Sequence, residues 1–265
     1  MTRRSRMTIA LALALAGLAP AACGEDKQAD IRPLVLKEQV SSIAKSGTGY
    51  VVSWAGVLSN ANRWHFGEHA IATVTAVDAA GKQVVHLKQP LDAVPPGRSV
   101  AFSGQTTATG QPVRVKIECG HATWHLVPRI PSAFLTFPIS DVVTERLHEG
   151  SYLITGYVLD PFLKAASGVA VTALLRDAAG KLAGGGTAYL EKVQSNLKRR
   201  FVITIDGVTG GTVAKTDVRA RTWGTTAKPY IDLALAGAVP IHTVAPSTKP
   251  FDKDRGYQVL ADRRQ

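Results

Sequence analysis

Cysteine is nearly absent, with only Cys23 and Cys119 in 265 residues. That excludes a disulfide framework and a four-thiolate zinc site. Long apolar runs are scarce too. The clearest, Met7 to Leu18, is too short to span a bilayer as a mature helix. Aromatic residues make up 6% of the chain, and the tightest basic run, Lys198-Arg199-Arg200, has none interleaved. A base-stacking surface is therefore not expected, nor is nucleic acid as a partner. Helical periodicity is missing beyond the first 22 residues. Also missing are the nucleophile elbow, His-Glu-x-x-His, phosphate loops and dinucleotide glycines. Without a nameable set of acid, base and nucleophile, the expectation is a non-enzymatic protein with no cofactor.

What is present is strand and turn material. The chain is 45% hydrophobic, chiefly Ala, Val, Leu and Ile, with 24 Gly and 14 Pro spread throughout. That composition suits many short strands around filled cores. The net charge is +11, falling to 11 − 3 = +8 if Arg3, Arg4 and Arg6 are removed. A basic surface suits anionic lipid or wall polymer as neighbours.

The N-terminus carries an address. Three arginines precede the apolar run, and the small residues Ala19-Pro20-Ala21-Ala22 lead into Cys23 and a polar stretch. This resembles a bacterial lipoprotein signal peptide, whose cysteine becomes the acylated first residue. The thiol takes a diacylglyceryl thioether and the freed amine a further acyl chain, and two or three chains anchor stably where one does not. The resemblance implies lipidation at Cys23, an anchor in a membrane, and an extracytoplasmic place in the cell envelope. Partners would be other envelope proteins or anionic wall polymer. Pro20 stands where such signals usually have Leu. That leaves open ordinary cleavage after Ala21, which would release a soluble secreted or periplasmic protein.

A five-residue stretch occurs twice. Asp78-Ala79-Ala80-Gly81-Lys82 returns as Asp177 to Lys181, and Trp124 and Trp223 each follow 46 residues after the Asp. Phe102 and Phe201 share that register. The fixed offset marks two copies of one unit. Asp accepting local backbone bonds and Gly supplying positive φ make the stretch a hairpin turn. Around it lie alternating strands such as Ala70 to Val77, with turns at the spacing of a β-sandwich. The expected fold is all-β: two tandem immunoglobulin-like antiparallel sandwiches. The expected boundaries are a signal over 1–22, lipidated Cys23 and tether over 23–33, a sandwich over 34–127, a stiff proline-bearing linker over 128–134, a sandwich over 135–224 and a partly ordered extension over 225–265. Residues 59–68 and the glycines 184–186 are expected as loops. Ile231, Leu233 and Leu235 alternate with smaller or polar residues, predicting a half-buried strand. Phe102, Phe201, Trp124 and Trp223 are expected in cores.

The repeat is similar to the FxLYD-type sandwich of bacterial lipoproteins. The residues carrying the likeness are Gly56, Leu58, Asn60, Asp78, Gly81, Pro96, Gly97 and Phe102, then Gly156, Val158, Asp160, Asp177, Gly180 and Phe201. Ala76-Val77 and Leu175-Arg176 replace the aromatic pair of that family, and Asn196-Leu197-Lys198 replaces the Pro-Gly turn. The likeness implies an immunoglobulin-like, non-catalytic module and brings no functional residues.

Two candidate sites fall in the first repeat. His65, His69, His121 and His125, near Cys119, could hold Zn or Cu if the 59–68 loop and the end of a strand over 113–121 meet at one end. Trp54, Trp64 and Trp124 could form a platform for a sugar or a protein.

Overall fold

The computed structural model describes residues 31–127, 134–208 and 212–240. The signal-like stretch, Cys23, most of the tether, residues 128–133 of the linker and the tail from 241 lie outside the described residues. The alternating segments pair as antiparallel strands. The first repeat contains β1 (Val35–Ser46), β2 (Gly49–Ser59), β3 (His65–Glu68), β4 (Ile71–Val77), β5 (Gln83–Pro90), β6 (Ser99–Ala108), β7 (Arg114–Cys119) and β8 (Thr123–Leu126). The second contains β9 (Ile139–His148), β10 (Ser151–Leu159), β11 (Val169–Arg176), β12 (Leu182–Leu190), β13 (Lys198–Ile205) and β14 (Lys215–Thr222).

Each repeat builds two three-stranded sheets. In the first they are β1-β2-β6 and β5-β4-β7, and in the second β9-β10-β13 and β12-β11-β14. Equivalent strands occupy equivalent places, and the chain crosses between sheets at the same points. The two sheets of each repeat enclose a core: Val52, Leu58, Val74 and Phe102 in the first, and Ile154, Val158, Val171 and Phe201 in the second. The first repeat adds a two-stranded ribbon in which β3, inside the stretch expected as a loop, pairs with β8.

The repeated five residues make the turn they predict. Gly81 and Gly180 both take φ +80°. Asp78 Oδ1 accepts the backbone N–H of Ala80 and Lys82, and Asp177 Oδ1 that of Lys181. Phe102 pairs with Gly56, and Phe201 with Gly156, across neighbouring strands. A Cβ on either glycine would come within 2.6 Å of the facing ring. The glycine lets each aromatic ring lie flat over the strand beside it.

The two repeats share one compact unit. The outer face of β1-β2-β6 packs on the outer face of β12-β11-β14 through Val40, Ala55, Val57 and Ala101 against Leu174 and Leu182. β2 and β11 are consequently covered on both faces, and in β11 every residue from Val169 to Leu175 is buried. This seam explains why Gly184-Gly185-Gly186 lies within β12 rather than in a loop. A Cβ at Gly185 would stand 2.8 Å from the Ala55 Cβ of the first repeat, and one at Gly186 2.6 Å from Ile203 in the second core. The glycines thin the strand where sheets approach closely.

Residues 228–236 form a helix, α1 (Lys228–Ala236), not a strand. Pro229 suits its first turn, Gly237 follows its end at φ +85°, and the Leu-Ala-Leu-Ala run favours helix. The buried positions are Tyr230 and Leu233, three apart, whereas Leu235 is exposed. Tyr230 joins Phe66, Ala93 and Phe134 in a small third core, and Leu233 joins the core of the second repeat.

Candidate functional site

The histidine end of the first repeat does not converge. On the ribbon, His65 pairs with Leu126 and His125 with Phe66. Because alternate residues point to opposite faces, His65 and His125 face apart. His69 takes φ +57° and donates its backbone N–H to the Thr225 carbonyl. His121 is exposed in the connection after β7. Among the described residues no three His, Cys, Asp or Glu side chains gather as metal ligands. Cys119 packs half-buried against the first core, and burial raises its thiol pKa. That disfavours the thiolate a metal would need. The ribbon has a structural use instead: Glu68 Oε1 accepts the N–H of Ala227 at the start of α1, and His125 Nδ1 lies 4.0 Å from the same oxygen.

The three tryptophans do not form one platform. Trp54 is 3% exposed, covers Gly104 and donates its indole N–H to Gln89 Oε1 at 2.8 Å. Trp64 is exposed under the Arg63 guanidinium, 5.1 Å from its ring centre, and Trp124 is half-buried on β8. Trp223, expected in a core, is 58% exposed and packs on exposed Tyr189 with ring centres 5.2 Å apart. Its position 46 residues after the turn's Asp is preserved, but the short ribbon of the first repeat has no counterpart among the described residues of the second.

Polar groups cross the seam at both ends. Arg176 of the second repeat holds Glu38 of the first with two bonds, of 2.6 and 3.1 Å, and donates Nε–H to Asp217 at 2.7 Å. Hydrogen bonding to Arg176 holds the Glu38 carboxyl below its usual range, and Arg176 itself is held more basic. At the other end Arg221 pairs with buried Asp92 at 2.5 Å and donates to Thr172 Oγ1 at 3.1 Å. Thr172, Thr187 and Ser103 continue as a chain of hydroxyl contacts. Asp92 also accepts the N–H of Gly224. Asn60 and Asp160, two residues of the family likeness, are buried organisers of loops. Asn60 donates to the carbonyls of His65 and Val94, while Asp160 accepts the N–H groups of Phe162 and Ala166.

Two concavities flank the seam. A polar cleft of about 360 Å³ lies beside Trp54, Gln89, Gln105, Thr187, Tyr189 and Asp206. A larger cavity of about 590 Å³ lies between the start of β6, residues 135–139, β14 and Tyr230 of α1. Arg98, Arg219 and Arg221 are on its wall, with Val100, Leu135, Phe137 and Ile139. Burial pushes the Tyr230 hydroxyl up to about 12, so it is a neutral hydrogen-bonding group at physiological pH. Neither concavity is legible in the local sequence, because each forms where the two repeats meet. The one signal in the sequence is the alternation Asp217-x-Arg219-x-Arg221, which puts three charges on one face of β14.

No family model matches the chain, and no curated protein does. Among solved structures, the N-terminal CBM22-1-CBM22-2 tandem domain of Paenibacillus barcinonensis Xyn10C is similar over 76% of this chain and 86% of its own. The identity is 11% and the TM-score 0.13, a likeness too slight to bear on fold or ligand.

Proposed function

We propose that the chain is a lipid-anchored extracytoplasmic protein of the bacterial envelope that acts by binding. One observation carries this: a basic start and a short apolar run end on Cys23, followed by a polar stretch. The body agrees with a binding role. Several of its charged groups are engaged in structural pairs such as Arg176–Glu38 and Arg221–Asp92, and its concavities lie at the junction of two scaffolds, a common place for ligands. The likeness to FxLYD-type sandwiches points the same way. Cells fed a radioactive fatty acid are expected to label the wild-type protein and not the Cys23→Ala variant. An unlabelled wild type, or label that survives the substitution, overturns the anchor.

A further inference from the structure

We propose that the 590 Å³ cavity at the seam binds an amphipathic anion, with a carboxylate or phosphate head and an apolar tail. The proposal rests on reading the chain as a binding protein and names the ligand class. The volume falls within the range of small-molecule sites, roughly 300–1,000 Å³. The wall is built of two chemistries. Val100, Leu135, Phe137 and Ile139 offer apolar surface, and Arg98, Arg219 and Arg221 offer guanidinium groups, with no Asp or Glu among the lining residues.

The charge is met only in part: Arg219 lies near enough to Glu38 to help hold that carboxyl below its usual range, without an ion pair between them. Arg221 is engaged by Asp92, but neither Arg98 nor Arg219 pairs with a carboxylate among the described residues. Arg221 is 7% exposed, and its Nε is buried with no partner among the described residues. A buried donor of a charged group without an acceptor is costly, and native proteins seldom leave one. The other guanidinium nitrogens of Arg221 are taken by Asp92 and Thr172, and the cavity lining itself carries no Asp or Glu. An anion supplies what the wall lacks, and a guanidinium matches the fork of a carboxylate or phosphate.

Two other occupants fit less well. The C-terminal residues 241–265 carry five basic side chains against three acidic ones, a net charge of the same sign as the wall's. Bare phosphate leaves the apolar surface uncovered.

The test uses the full chain carrying Cys23→Ala, which cannot be acylated, titrated calorimetrically with dodecanoate and with dodecyl phosphate. One-site binding of either anion is expected, and the tighter of the two names the head group. Arg98→Ala and Arg219→Ala are each expected to weaken it about tenfold, the loss of one charge-assisted hydrogen bond, at an unchanged unfolding temperature. Added salt should weaken it as well. The proposal is overturned if neither anion binds the folded protein, if dodecanol or inorganic phosphate alone binds as tightly, or if the Arg98→Ala/Arg219→Ala double variant binds like wild type. Failure of the anchor is separable, because it appears as missing fatty-acid label and leaves these titrations unaffected.

Discussion

A methyl group at position 185 has no free space to occupy. It would meet the Ala55 Cβ at 2.8 Å and the Ala173 carbonyl at 3.0 Å, neither of which can swing aside. Gly185→Ala is therefore expected to destabilise the protein by about 1–3 kcal/mol, the usual cost of overpacking. Ala55→Gly added to it should recover part of the loss, because it removes one of the two obstacles. A pair of denaturant midpoints checks this, and strict additivity of the two substitutions contradicts a shared contact. Arg176 acts at the same seam through charge. Glu38 is lowered by its hydrogen bond to Arg176. Burial raises Asp217, but bonds from Lys215 and Arg176 outweigh it and leave Asp217 lowered as well. An acid with a lowered folded pKa contributes stability that is complete above its unfolded value and is lost as pH falls through the folded one. The window therefore opens below the ordinary values of 4.5 and 3.8. Asp160 has the opposite sign: burial raises it, against the N–H groups of Phe162 and Ala166. Its contribution is complete below 3.8 and lost as pH rises through the folded value. Arg176→Gln should lower stability at neutral pH and flatten its fall in acid, as urea midpoints across that window would report.

At the scale of the element, the two hairpin turns provide an internal control. Gly81 and Gly180 share φ +80°, and a Cβ at either would meet nothing within 4 Å. Any loss on substitution is then backbone strain rather than crowding. Gly81→Ala and Gly180→Ala should each cost about 1–2 kcal/mol, the penalty of the left-handed region, and by matching amounts. Unequal losses in thermal unfolding would contradict the equivalence of the turns. These turns were legible because the signal is local: Asp accepts bonds within five residues, and Gly supplies the dihedral. The strands of both sandwiches were legible through alternation and the shared register of Phe102 and Phe201. The helix was not. Ile231, Leu233 and Leu235 alternate, but Tyr230 and Leu233 meet cores from two different parts of the chain, and that choice of face is made by packing. The β12 glycines depart from the expected loop for a related reason. Glycine marks a turn or a close approach with the same letter, and the partner, Ala55, lies 130 positions away. The histidines failed as a site because strand register, which composition does not reveal, turns His65 and His125 to opposite faces.

The whole molecule depends on surfaces that a sandwich would ordinarily expose. In β4 the alternation is kept, with Ala72, Val74 and Ala76 buried and Thr73 and Thr75 partly open. In its counterpart β11 both faces are buried, Leu174 facing the first repeat and Leu175 its own core. Separated from the first repeat, the second would show Leu174 and Leu182 to water, leave Arg176 without Glu38 and strip α1 of Phe66. The first repeat would expose Ala55, Val57 and Ala101 and leave Asp92 without Arg221 and the Gly224 N–H. Each large apolar side chain returned to water forfeits roughly 1.5–3 kcal/mol, and several together are a large share of the roughly 5–15 kcal/mol that holds a typical domain folded. The repeats are therefore expected to unfold together. Scanning calorimetry should give a single transition whose calorimetric and van't Hoff enthalpies agree. Leu174→Asp, which puts a charge in the seam and leaves both inner cores intact, should split that transition in two. A wild type that already melts in two resolved steps would show that the seam couples the sandwiches too weakly to unite them.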